Sequence, residues 1–174
     1  MNSISSLCFV LLVSLCLNQI PAASADLISQ TCAPTRFNDL CEKTLRAHPG
    51  SKSANIKGLA KIALKATSTN AKRIKSQIVS LQKSTTDKSI LQALKDCAEN
   101  YDDASQQLAN SITAFASKRY ADVNQWVSAA MSDSDSCEEG FKTGTSKLTA
   151  ANKNFFELSS NVLALTKLAE AKRA

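Results

Sequence analysis

The chain predicts an all-α fold, an antiparallel up-and-down four-helix bundle with an N-terminal helical hairpin and two disulfides. Three observations carry that expectation. Apolar residues recur every three or four positions along most of the length, and no segment keeps a period-two alternation. Four cysteines remain once an apolar leader is set aside.

From Leu7 to Leu17 the sequence is apolar over a stretch too short to span a bilayer, and it runs into Pro21-Ala22-Ala23-Ser24-Ala25. This is the layout of a secretory signal peptide, with Ala23-x-Ala25 as the cleavage site. A membrane anchor is the rival reading, because no Lys or Arg precedes Leu7. We take residues 1–25 as the signal peptide, which removes Cys8 and Cys16, and 26–174 as one domain of common size. No second long apolar run follows, so the mature chain is expected to be soluble and away from the membrane.

An even number of cysteines in an oxidising compartment predicts two disulfides, and four cysteines allow three pairings. Cys32 and Cys41 are close in sequence, whereas Cys97 and Cys137 fall on the inward stripes of adjacent helical patterns, so we expect Cys32–Cys41 and Cys97–Cys137. In the chain-entropy account a crosslink of the second kind contributes about 4 kcal/mol. The rival is a metal site, disfavoured because the spacings are not C-x-x-C and His48 is the sole histidine. No metal or cofactor is expected.

The helical stripes follow in order. Ile56, Leu59, Ala63, Ala66, Asn70, Ile74, Ile78 and Leu81 form the first, and Ile90, Leu94, Cys97, Tyr101, Ala104, Leu108, Ser111 and Phe115 the second. Val123, Val127, Ala130, Ser134, Cys137 and Phe141 form the third, and Leu148, Ala151, Phe155, Leu158, Val162, Leu165 and Leu168 the fourth. Four amphipathic stripes of this kind can bury one another in a bundle. The breaks are short and polar: His48-Pro49-Gly50-Ser51; Ser84 to Asp87, with Ser84-Thr85-Thr86 as cap candidates; Ser117-Lys118-Arg119-Tyr120; and Gly140 to Ser146. A hairpin is expected over 26–50, helical from about Leu27 to Ala47, and the bundle over 51–174. Trp126 is assigned to the core beside Val127, with an exposed anchor as the alternative.

Charge is unevenly spread. Between Lys43 and Thr86 there are ten basic residues and no acidic one, whereas Asp87 to Asp135 holds four basic and eight acidic. Lys57, Lys61 and Lys65 recur every four residues. Two readings fit: a solvated face, or a patch that steers an acidic partner or an anionic polysaccharide toward the protein in a salt-dependent way. Nucleic acid is not expected of a secreted chain with eight aromatic residues after the leader.

Catalytic patterns are hard to find. His48 precedes Pro49 in a turn, and the sequence carries no G-x-S-x-G elbow, metal motif or glycine-rich phosphate loop. Acidic pairs such as Asp102-Asp103 and Glu138-Glu139 are more simply surface charge than glycosidase carboxylates, because adjacent residues on a helix point apart. Asp133-x-Asp135 lacks the glycine and glutamate of a calcium loop. The chain reads as a non-enzyme that works through its surface.

Three strings then carry a resemblance. The hairpin from Cys32 to Cys41, the run Cys97-x-Glu99-x-Tyr101-x-Asp103-Ala104-x-x-x-Leu108, and Ser128-Ala129-Ala130 followed by Cys137-Glu138-Glu139-x-Phe141 together resemble the plant invertase and pectin methylesterase inhibitors. That family implies a four-helix bundle with an N-terminal hairpin, cysteines paired first to second and third to fourth, and a one-to-one complex that blocks the cleft of a cell-wall or vacuolar carbohydrate enzyme.

The resemblance leaves two targets open. Invertase inhibitors carry Pro-Lys-Phe between the second and third bundle helices, where a cation meets the catalytic carboxylates; here that place holds Lys118, Arg119 and Tyr120, without the proline. The tyrosine looks more like the pectin methylesterase inhibitors, which lay bundle helices across the pectin-binding cleft through positions such as Gln106 and Asn110. Against that, Cys137-Glu138-Glu139-Gly140-Phe141-Lys142 and Leu163-Ala164-Leu165-Thr166-Lys167-Leu168 resemble pollen-type invertase inhibitor-like proteins. Pectin methylesterase is favoured and acid invertase is the alternative. A helical binding module with no enzyme target is the second alternative. Contact residues should be exposed, whereas Tyr101, Ala104, Leu108, Ala130 and Phe141 should carry structure. The implied location is the apoplast or cell wall, with the vacuole as the alternative.

Overall fold

The computed structural model describes residues 26–141 and 146–172; residues 1–25, where the signal peptide and its cleavage site are expected, most of the last connection and residues 173–174 lie outside them. Among the described residues there are six α-helices and no strand. Helices α1 (Leu27–Cys32) and α2 (Asn38–Arg46) form the hairpin, and a 3-10 turn over Pro49–Ser53 leads out of it. The bundle helices are α3 (Ile56–Ser84), α4 (Lys88–Ala116), α5 (Tyr120–Glu139) and α6 (Thr149–Ala171). Each packs on the next and α6 closes the ring on α3, while the hairpin leans on α3 and α6. Among the described residues no helix is long and apolar enough to cross a membrane.

Cap chemistry sets where the helices begin. Asn55 Oδ1 accepts from Gly58 N at 2.9 Å to open α3, and Asp26 Oδ1 accepts from Ser29 N at 2.9 Å to open α1. The cap expected among Ser84, Thr85 and Thr86 is instead Asp87, whose Oδ1 accepts from Ser89 N at 2.8 Å and Ile90 N at 3.1 Å. A carboxylate satisfies two orphan donors and complements the positive helix end, so it displaces the hydroxyls. Ser84 stays in α3, and Thr85 is that helix's C-cap.

The predicted stripes turn inward as expected in most positions. Leu59, Ile74, Ile78, Leu94, Leu108, Val123, Val127, Val162 and Leu165 are all buried, as are Tyr101, Ala104 and Ala130. Phe141 is half-buried against the core. Two positions differ. Ile90, in the first turn of α4, is 41% exposed. Trp126 is half-exposed and outside the core, since its place on α5 is one residue short of the buried Val127.

Both disulfides pair as expected: Cys32–Cys41, with Cα atoms 5.7 Å apart, closes the hairpin, and Cys97–Cys137, at 4.5 Å, ties α4 to α5. Beside the second bridge lies a polar knot. Tyr101 packs its ring edge-on to Phe155 at 5.4 Å between centroids and donates its hydroxyl to Asn152 Oδ1 at 2.9 Å. Asn152 Nδ2 donates to Glu138 Oε2 at 2.7 Å, and Ser146 Oγ donates to the same oxygen at 3.1 Å. Thr149 Oγ1 donates to Glu138 Oε1. Helix α6 has no side-chain cap of its own, so Glu138 of α5 supplies the carboxylate at its N-terminal end. Burial first, and the Glu138 charge second, push the Tyr101 phenol well above its ordinary pKa.

The hairpin is held by polar contacts as well as its bridge. Arg46 donates to Asp26 Oδ2 and Glu42 Oε2, each at 2.8 Å, and holds both carboxyls below their ordinary range. Asn161 Nδ2 of α6 donates to the Phe37 carbonyl at 2.9 Å, which fastens the turn of the hairpin to the bundle.

Two predictions follow from the packing. Replacing Tyr101 by Phe strands the Asn152 acceptor and should lower the unfolding free energy by about 1–2 kcal/mol in urea titrations, with the helical circular dichroism unchanged. Asp133 on α5 is the second case: burial first, then the charge of Asp103 on α4, push its carboxyl up to about 6, with a Gln107 hydrogen bond opposing. The folded chain therefore holds that proton more tightly than the unfolded one, whose ordinary value is 3.8. Stability from this group falls as pH rises through that window and is level above it. Asp133→Asn should be more stable than the parent at pH 7 and indistinguishable from it near pH 4.

Candidate functional site

Among the described residues one concavity of about 630 Å³ is lined by Asp135, Glu138, Lys153 and Glu157 beside Arg36 and Phe37. Among the described residues there is no cluster of three His, Cys, Asp or Glu that could hold a metal ion. His48 is exposed, and its Nδ1 accepts from Gly50 N at 3.2 Å, so it caps the 3-10 turn. Glu138, one of the acidic residues weighed above, is committed to the polar knot, and Asp102 pairs with Lys75 across the α3–α4 seam.

The α4–α5 connection is the sharpest feature. Helix α4 ends in a six-residue reverse loop in which Lys118 N donates to the Phe115 carbonyl at 3.0 Å and Arg119 N to the Ala114 carbonyl at 2.9 Å. This is the Schellman pattern, which places the residue after the C-cap in the left-handed region and usually uses glycine there. Here the residue is Lys118 with φ 58°, the one non-glycine residue with positive φ among those described. A side chain in that conformation costs on the order of 1 kcal/mol relative to glycine. The strain projects an exposed ammonium from the end of the bundle. Arg119 beside it is exposed too, and its Nη1 meets Asp122 Oδ2 at 2.8 Å.

Tyr120 corrects the expectation of an exposed contact. It is only 3% exposed, and its ring lies edge-on to Phe115 at 5.5 Å between centroids. As the first residue of α5 it faces into the bundle end, where it plugs the space under the connection. Sequence could not separate a tip aromatic from a plug, because the loop direction set by Lys118 decides which way residue 120 points.

Gln106 and Asn110 share one face of α4, Gln106 exposed and Asn110 half-buried, and Gln106 Nε2 donates to Asn110 Oδ1 at 3.2 Å. From Gln106 to the helix end at Ala116 is about 15 Å along the axis. The two candidate contact sets therefore occupy different places, one on the flank and one at the tip. Lys61 and Lys65 on α3 are exposed and Lys57 is half-buried; none of the three forms an ion pair among the described residues.

The family described as "Plant invertase/pectin methylesterase inhibitor" matches residues 26–165. A protein of Platanus orientalis named "Putative invertase inhibitor" is 36% identical over 154 residues, covering 83% of this chain and 91% of its own length. A "Pectinesterase inhibitor" of Actinidia deliciosa is 33% identical over 139 residues, covering 79% of this chain and 75% of its own. Among solved structures, a mutant form of a pectin methylesterase inhibitor from Arabidopsis superposes with a TM-score of 0.70 at 23% identity, over 83% of this chain and 97% of that one. A bundle braced by two disulfides, with that family match across nearly all of the described residues, means that the chain belongs to the plant invertase/pectin methylesterase inhibitor family.

Proposed function

We propose that this chain is a secreted inhibitor that forms a one-to-one complex with a plant cell-wall carbohydrate enzyme and blocks its active-site cleft, with pectin methylesterase as the target. Family membership across 26–165 supports the inhibitor role, and relatives named for both targets keep the choice between them real. The observation that favours pectin methylesterase is the burial of Tyr120. A cation and an aromatic cannot enter an active site together when the ring is packed against Phe115, whereas the flank of α4 around Gln106 and Asn110 stays open. Acid invertase is the second reading, favoured by the strained Lys118. Backbone strain at an exposed cationic tip is the kind of feature that persists where it serves a contact.

The signal peptide reading and the two disulfides favour export to the apoplast or cell wall, with the vacuole as the alternative. There the cationic stripe at Lys57, Lys61 and Lys65 faces an acidic matrix, and attraction to pectin raises the local encounter rate.

Titration against purified pectin methylesterase and acid invertase tests the target. Loss of pectin methylesterase activity should reach its end point at one equivalent, and Gln106→Ala with Asn110→Ala should weaken it about tenfold. If invertase is the target, Lys118→Gly gives the discriminating result: unfolding free energy rises by about 1 kcal/mol while inhibition weakens. No loss of either activity at micromolar protein defeats the inhibitor reading and leaves a helical binding module. Replacing Lys57, Lys61 and Lys65 by Gln should slow association on the order of tenfold at low salt and little at high salt. An unchanged rate returns those lysines to plain solvation.

A further inference from the structure

The hairpin does not lie flush on the bundle. Between α2 and the facing sides of α3 and α6 runs an open groove of about 360 Å³, at the small end of the range for small-molecule sites. Lys43 of α2 stands on one wall and Arg73 of α3 on the other. Leu40 and Leu158 contribute apolar surface between them, and Asn70 donates through Nδ2 to Asn154 Oδ1 at 3.2 Å along the groove.

Charge in this groove is one-signed. Neither Lys43 nor Arg73 forms an ion pair among the described residues, and no acidic residue occurs anywhere from Lys43 to Thr86. Two cations on the walls of one concavity repel each other unless an anion lies between them. The Asn70–Asn154 bond occupies the Asn154 carbonyl oxygen and leaves its Nδ2 protons without a protein acceptor among the described residues. Thr69 lines the groove with Arg73, and its hydroxyl, which donates to the Lys65 carbonyl at 3.0 Å, keeps acceptor capacity there.

Arg73 also completes a ladder. Lys57, Lys61, Lys65, Thr69 and Arg73 are spaced by four along α3, each step rising about 6 Å and turning about 40°. The exposed lysines of the first half of α3 therefore lead round the helix into the groove.

We propose that this groove binds a hexuronate unit of an acidic polysaccharide, with its carboxylate between Lys43 and Arg73. Each part of the site matches one part of such a sugar. The cations take the carboxylate, the leucine surface takes the C–H face of the ring, and Thr69 and Asn154 take hydroxyls. The chain beyond the bound unit runs out along Lys65 and Lys61. The proposal rests on the reading that the cationic helix meets pectin, and it goes beyond that reading by giving the polymer an entry site apart from the enzyme-facing tip and flank.

The test is calorimetric titration of the mature chain at low salt with a short oligogalacturonate, its methyl ester, a sulfated oligosaccharide and inorganic phosphate. Three variants are compared: the parent, Lys43→Gln with Arg73→Gln, and the triple Gln replacement at Lys57, Lys61 and Lys65. The expected result is binding of the free acid by the parent, at least tenfold weaker binding of the methyl ester, and at least a tenfold loss in the Lys43/Arg73 variant, whose circular dichroism and enzyme inhibition are unchanged. The triple variant should keep most of its affinity for the short oligomer. The proposal is overturned if the Lys43/Arg73 variant binds as the parent does, if the ester binds as well as the acid, or if the sulfated sugar or phosphate alone binds as tightly as the uronate. Loss in the triple variant alone removes the groove and keeps the cationic face as a pectin contact. Failure of the parent to bind removes both.

Discussion

The crosslink between Cys97 and Cys137, together with the polar knot beside it, is the constraint on which the rest of the bundle depends. Helices α4 and α5 are brought to a Cα separation of 4.5 Å at this point, close enough that only small or bridging side chains fit between them. Burying Tyr101 there obliges its hydroxyl to find an acceptor, and the acceptor is on a third helix, at Asn152 of α6. Asn152 in turn needs Glu138, which returns the network to α5 and places a carboxylate beside the start of α6. Three helices are thus held in one register by groups that are costly to leave unpaired. Leucine packing alone is more tolerant of sliding.

That rigidity suits a protein that works by obstruction. An inhibitor gains affinity when its contact surface needs no ordering on binding. The features presented outward are fixed by what lies beneath them. Lys118 keeps its unfavourable backbone because two hydrogen bonds at the end of α4 and the packed pair Phe115–Tyr120 hold the loop. The flank with Gln106 and Asn110 keeps its line because the opposite side of α4 is buried at Ala104, Leu108 and Ser111.

Charge is sorted by helix, and the sorting is maintained with little internal cancellation. The contact of opposite signs at the α3–α4 seam is Lys75 with Asp102, and such an exposed pair adds little stability. The remaining cations of α3 stay available to solvent and partners, while α5 carries Asp133 next to Asp103 at a cost to the folded state. Both arrangements leave the sorted charge contributing little to stability.

Periodicity and cysteine placement alone determined the fold class, the hairpin, the four long helices and both disulfide partners. Those depend on spacing along one helix, and a step of three or four residues reports which side is buried whatever lies opposite. The tertiary structure decided what depends on neighbours from other helices. Asp87 displaced the hydroxyls of Thr85 and Thr86 as the cap because its carboxylate reaches two free N–H groups at once. Tyr120 became a plug through the direction of the α4–α5 loop, which is not written in local composition. Glu138, one of an unremarkable acidic pair in sequence, became a partner of the first turn of α6 because the bundle brings its carboxylate to the side chains of Thr149 and Asn152. The groove between Lys43 and Arg73 is the same kind of fact: its two walls are thirty residues apart in the chain and meet only because the hairpin folds back onto α3 and α6.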